Sequence, residues 1–360
     1  MNNPVRLFFQ LCLFTATFGC CDSDKSNEGE SPDYALKIDS LIEASSPRAF
    51  NGVILVTQYG KTKYSKAYGY SNIEGKIPIR LDDNFRIQSN SKQITAVLVL
   101  REVGKGNIDL NEPLSTYVSL PNFDQSWADL VTVHQLLNMS SGITSLNEPL
   151  LFEPGTDYKY SNAAYGLLGR ILEKVTKKSY IQIANELFAE VGMKNTYCYE
   201  FDKPQKHPIN GYLVSQDQYQ PDDFYSRGIT ADSWNDFIPA GGTISNAIDL
   251  NTWDEHLHNG KILSSEMYKL MTTYTIFGQH DAFGAKEIGY GYGVRIDDTT
   301  PTKIIGHAGR GIGFANIKFY IPAKSIDVVV LENVYNEDVS IIYHFEKKIR
   351  EIVMNSSLTR

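Results

Sequence analysis

Segments of strand character lie at the two ends of this chain, and helical patterns fill the stretch between them. Near the start, residues 52–57 read as a buried strand that turns at Gly60 into a second strand over 61–70. Residues 85–88 form a short extended piece. Near the end, residues 292–296, 303–308, 314–321 and 327–334 read as four more strands, and a last helix is expected over 337–354. From Leu110 to about Phe237 the periodicity is helical, with long irregular loops. The simplest packing is an α+β fold. Both strand groups join one mostly antiparallel sheet flanked by the N- and C-terminal helices, and residues 105–240 or so form an inserted all-helical lobe. A cleft between sheet and lobe is the expected place for an active site.

Local signals place individual helices. Asp33 can cap a helix carrying Leu36, Ile38, Leu41 and Ile42 at helical spacing. Thr132-x-x-Gln135 has capping-box form before Leu136 and Leu137, Asn162 precedes an amphipathic run, and Asn246-x-x-Asp249 opens another helix. Residues 92–103 are apolar on nearly every side, so this helix must be buried.

The ends are read separately. Arg6, an apolar run over residues 7–18 and Gly19-Cys20-Cys21 have the form of a secretory signal, too short to span a bilayer. A cysteine after Gly19 resembles a bacterial lipoprotein cleavage site with Cys20 lipidated; the alternative is an ordinary secreted protein. Both place the protein outside the cytoplasm, in the periplasm or cell envelope. The expected division is a leader over 1–19, a polar tether over 20–32, one folded domain over 33–354 and a tail over 355–360. Of the four cysteines only Cys198 then lies in the folded body, so neither a disulfide framework nor a metal finger is expected. A net charge of −8 argues against nucleic acid as a partner. No obligate protein partner is indicated.

The chemistry starts at Ser89 and Lys92. Positions i and i+3 share a helix face, so at the head of the buried helix the lysine amine can reach the serine hydroxyl. Serine needs a base to become a nucleophile, and lysine serves only if burial and nearby positive charge lower its pKa from about 10.4. Tyr160, in Tyr160-Ser-Asn162, can share proton transfer, and Asn162 can hydrogen-bond a substrate amide. His307-Ala-Gly309 ends a strand, where glycine lets a substrate backbone pair with the edge; the N–H groups of Ser89 and Arg310 can form an oxyanion hole. Two similar clusters, Tyr70-Ser-Asn72 and His258-Asn-Gly260, read instead as a turn and a helix end.

Phe85-Arg-Ile-x-Ser-x-Ser-Lys-Gln, Pro154-Gly-Thr-x-x-x-Tyr-Ser-Asn, Ala240-Gly-Gly-x-x-Ser and Gly306-His-x-Gly occur in one order. In that order they resemble the serine β-lactamase and penicillin-binding-protein superfamily, in its class C-like branch, over residues 33–354. The resemblance implies a β-lactamase/transpeptidase-like fold and an acyl-enzyme mechanism with Ser89 attacking and Lys92 and Tyr160 moving protons. It implies no metal or other cofactor, and a small-molecule or peptide substrate: a D-amino-acid peptide, a β-lactam or a carboxylic ester. A D,D-carboxypeptidase or penicillin-binding protein proper is the alternative, and a non-catalytic binding or sensor protein on the same fold a second one. The departure is His307, where many β-lactamases carry a carboxylate-binding lysine; Arg310 can supply the missing charge.

Other hydrolase signatures are missing from the sequence. No Gly-x-Ser-x-Gly elbow surrounds any serine, and His256-x-His258 has no evident third zinc ligand. The glycine runs starting at Gly289 and Gly309 do not follow the dinucleotide pattern and read as strand and loop glycines.

Overall fold

The computed structural model describes residues 32–119, 126–201, 208–215 and 218–360. The expected leader, the Cys20 site and nearly all of the tether lie outside these residues.

Helix α1 (Asp33–Glu43) buries Tyr34, Ile38 and Ile42. Asp33 does not cap it. Pro32 holds the cap position, and the Asp33 carboxylate accepts from Lys37 one turn on at 3.3 Å. Strand β1 (Gly52–Gln58) pairs with β2 (Lys61–Tyr68), but the expected second strand breaks at Gly69. Gly69 has φ +75°, and a Cβ there would collide with the Asn51 side chain. Beyond it β3 (Tyr70–Asn72) and β4 (Ile77–Pro78) make a separate hairpin. Strand β5 (Phe85–Arg86) is shorter than expected, because a 3₁₀ turn over Gln88–Asn90 leads into α2 (Ser91–Gly104).

The lobe follows: α3 (Val133–Leu137), α4 (Asn162–Thr176) and α5 (Tyr180–Val191), then β6 (Tyr197–Cys198), β7 (Tyr212–Ser215) and β8 (Gln218–Pro221), then α6 (Ala231–Gly241). Three short strands thus accompany its helices. The capping box is present, with Thr132 accepting from the Gln135 N–H. Strand β9 (Thr243–Ser245) lies between β5 and β6. The side chain of Asn246 caps α7 (Ala247–His258), accepting from Asp249, and α8 (Ser265–Met271) follows.

The C-terminal strands are β10 (Ile276–His280), β11 (Gly284–Tyr290), β12 (Arg295–Asp297), β13 (Ile304–Gly311), β14 (Phe314–Ile321), β15 (Ile326–Glu332) and β16 (Val334–Asn336). Eight strands form the antiparallel sheet β10-β11-β12-β13-β14-β15-β1-β2, so the two ends of the chain meet at β15 and β1. The strand expected over 292–296 is displaced: residues 291–294 turn, and β12 starts at Arg295. Helix α9 (His344–Met354) begins seven residues later than expected. Asn336 accepts from the Asp338 N–H and Asp338 from Ser340, a chain of side-chain turns that holds the preceding residues out of the helix.

Alternation along β1 serves two cores. Val53 and Leu55 face the lobe, whereas Ile54 and Val56 face the layer of α1 and α9. Helix α2 packs against α4, α5, α6 and α8, which accounts for its apolar residues on every side.

Candidate active site

Four segments converge on the head of α2. The 3₁₀ turn that carries Ser89 is fastened to the sheet by amides: Asn90 Nδ2 donates to Asn316 Oδ1 at 2.5 Å, and Asn316 Nδ2 donates to Arg86 O at 3.3 Å. Gln88 Nε2 donates to Gly311 O at 2.7 Å. Gln88 holds φ +49°, an uncommon conformation for a non-glycine residue, directly before Ser89. Gly309 packs against this turn, where a Cβ would come 2.5 Å from Ile87 O and 2.9 Å from Gln88 Cβ. Its lack of a side chain is thus demanded by the turn that carries Ser89.

Lys92 is fully buried. Its Nζ lies 3.2 Å from Ser89 Oγ and 2.8 Å from both Asn162 Oδ1 and Ala240 O. A neutral amine has two N–H donors and one lone pair, and two carbonyl-type acceptors and one hydroxyl meet it here. Ala240 O is free for this role because it ends α6, where carbonyls lack a donor within the helix. Burial, and then the charge of Arg295, push the Lys92 pKa well below the usual lysine range.

Asn162 reaches Lys92 because Ser161, not Asn162, caps α4, accepting from the Ala164 N–H at 3.0 Å. With Oδ1 engaged, the Nδ2 donors of this exposed residue remain available. The Tyr160 ring lies beneath Lys92, its centre 4.7 Å from Nζ. Its hydroxyl is buried without a hydrogen bond of good geometry, although it lies near enough to Ser89 for that hydroxyl to favour its ionisation. Burial dominates and holds the phenol above its ordinary range, with Ser89 and Arg295 opposing.

His307 is buried on β13 beside Tyr160, ring centres 6.0 Å apart. Its Nδ1 is 2.6 Å from Ala308 O, which can only accept, so Nδ1 carries the proton. Burial, with Arg295 and Lys92 nearby, keeps the imidazole neutral, and Nε2 therefore accepts from the Tyr290 hydroxyl at 3.1 Å. Arg310 is exposed three residues on. Strand β12 pairs with β13 only as far as Gly306, so the β12 side of β13 has no strand partner beyond it. The chain therefore brings Ser89, Lys92, Tyr160, Asn162, His307 and Gly309 to one place.

The two similar clusters lie apart from this site. Asn72 Oδ1 accepts from the Gly75 N–H in a surface turn. The His258 side chain is buried, stacked on Tyr320 and bonded to Tyr268. Tyr290, Arg295 and the Ala240 carbonyl were not singled out from the sequence. Tyr290 stands inside the Gly289-x-Gly run, whose Gly293 (φ +68°) lets the turn after β11 approach Lys92 O. Ala240 opens one of the four motifs.

The Beta-lactamase family model matches residues 38–346. Protein flp of Staphylococcus aureus is 24% identical over 356 residues, covering 88% of this chain and 67% of that protein. A penicillin-binding protein homologue of Pyrococcus abyssi superposes with a TM-score of 0.73 at 27% identity, covering 88% of this chain and 76% of its own. D-amino acid amidase of Ochrobactrum anthropi gives 0.74 at 22% identity, covering 89% and 96%. The order of the motifs, the sheet with its inserted lobe and the extent of the match lead to one assignment: this chain belongs to the Beta-lactamase family, a family of β-lactamase-fold hydrolases.

Proposed function

We propose that the protein is a serine hydrolase that forms an acyl-enzyme at Ser89 and acts on a small amide or ester, in the range of D-amino-acid peptides, β-lactams and carboxylic esters. The observation that carries this reading is the buried Lys92 amine, 3.2 Å from Ser89 Oγ and depressed in pKa. Neutral Lys92 takes the Ser89 proton as Oγ attacks the substrate carbonyl carbon. The resulting ammonium has three N–H groups, and the same three partners accept them. The backbone N–H groups of Ser89 and Arg310 receive the oxyanion. Tyr160 and Lys92 return the proton to the leaving group, and water then releases the acyl group.

Neutral His307 offers no charge to a substrate carboxylate, which leaves Arg310 as the cation on this rim. Asn162 Nδ2 and the open edge of β13 suit a substrate amide. The N-terminal sequence supports export, with Cys20 as a lipid anchor. The test is to incubate wild type and Ser89→Ala with a fluorophosphonate and a labelled penicillin. A Ser89-dependent adduct is expected with the first. Adducts with both favour a penicillin-recognising enzyme, and no adduct with either removes the reading.

A further inference from the structure

Behind the Tyr160 ring lies a buried guanidinium with no anionic partner. Arg295 is only 2% exposed. Its Nη2 donates to Tyr158 OH at 3.1 Å and its Nη1 to Gly278 O at 3.3 Å, while Nε has no partner. Among the described residues no carboxylate pairs with it. It lies over aromatic rings, 5.3 Å from the centre of Tyr290 and 5.9 Å from that of Tyr160. A buried charge held this way is costly, and a scaffold that needed only packing would carry an apolar side chain there.

The titratable groups facing Arg295 are Tyr158 and Tyr160 from the loop before α4, Tyr290 from β11, His307 from β13, His280 from β10 and Tyr343 just before α9. Lys92 is faced by Ser89, Asn162, Tyr160, Tyr165, His307 and the Ala240 carbonyl, with no carboxylate among them. Lys92 Nζ lies 4.7 Å and the Arg295 guanidinium 5.9 Å from the centre of the Tyr160 ring, hence at most about 11 Å apart.

We propose that Arg295 is the positioning residue of this site: from behind the wall of Tyr158, Tyr160 and Tyr290 its guanidinium fixes the Tyr160 ring over Lys92 and presents a permanent positive charge to the Ser89–Lys92–Tyr160 proton-transfer group. The inference rests on the proposed reading of Ser89 and Lys92. A fixed positive charge at that distance favours the neutral amine, so Lys92 can accept a proton at neutral pH.

The experiment is the pH dependence of Ser89 phosphonylation by a fluorophosphonate in wild type and Arg295→Met, with thermal melting of both. Arg295→Met leaves no carboxylate unpaired but removes the donors to the Tyr158 hydroxyl and the Gly278 carbonyl, so it should still fold, with a melting temperature near that of wild type. Its acid limb should move up by about one pH unit, which slows labelling about tenfold on that limb. An unmoved limb, or loss of folding in Arg295→Met, would overturn the proposal, because both describe a merely structural arginine. Absence of Ser89 labelling in the wild type would instead remove the reading on which the proposal rests.

Discussion

Tyr290 donates its phenol to Nε2 of His307 at 3.1 Å, and this bond settles what the imidazole offers the cleft. One ring nitrogen is spent on Ala308 O and the other on Tyr290, so His307 acts as a fixed neutral spacer between β11 and β13. Tyr290→Phe leaves a buried acceptor unpaired and should cost about 1–3 kcal/mol of stability. Urea denaturation of the two proteins measures it, and an unchanged midpoint would mean that the bond does not hold the two strands together.

Gly309→Ala should be more damaging to activity than its single methyl suggests. The new Cβ meets Ile87 O at 2.5 Å, a backbone atom that cannot yield without moving the turn that carries Ser89. The expected result is at least a tenfold fall in the rate of Ser89 labelling, larger than the fall for Gly260→Ala, where a Cβ meets nothing within 4 Å. Equal rates for Gly309→Ala and wild type would show that the turn can shift freely.

Much of this site was legible because its parts are short-range. Ser89 and Lys92 are one helical turn apart, and an apolar helix after them places both in the core. The Thr132 capping box and the Asn246 cap likewise needed only neighbouring residues. What stayed hidden depends on chain-distant contacts. Strands β10 and β11 were not among the expected strands, because Gly278, Gly284 and Gly289 interrupt an edge hairpin with little alternation. Arg295 and Tyr290 have no local signature at all; they matter because β11, β12 and β13 lie side by side. Asn162 was seen as the residue before a helix, whereas Ser161 takes the cap and frees it for Lys92.

Away from the cleft, Asp327 on β15 and Asp254 on α7 are both buried, and Lys318 pairs with Asp254. Burial and the neighbouring Asp254 charge push the Asp327 pKa well above the carboxylate range, so Asp327 stays protonated in the fold. The unfolded chain releases that proton near pH 4, so the folded state binds more protons above it and stability is lost as pH rises toward the folded pKa. Asp327→Asn removes this loss while keeping the size of the side chain. Its gain over wild type in chemical denaturation should therefore grow between pH 5 and 8. A gain that shrinks over this range would reverse the assignment.

Arg310→Ala should raise KM for substrates bearing a carboxylate and leave neutral esters unaffected, since Arg310 is the exposed cation beside neutral His307. Steady-state kinetics on a matched acid and ester pair measures the split. Equal losses on both would assign the Arg310 side chain to the scaffold.

If neutral, buried Lys92 activates Ser89, acylation must depend on both side chains. The most direct measurement is intact-mass detection of the acyl-enzyme formed with an activated ester at pH 7, in wild type, Ser89→Ala and Lys92→Met. General-base catalysis contributes about 10²–10⁴ in rate. The expected result is one acyl group on wild-type Ser89, none on Ser89→Ala, and formation slowed at least a hundredfold in Lys92→Met. Acylation of Lys92→Met at the wild-type rate, or of a residue other than Ser89, would contradict it.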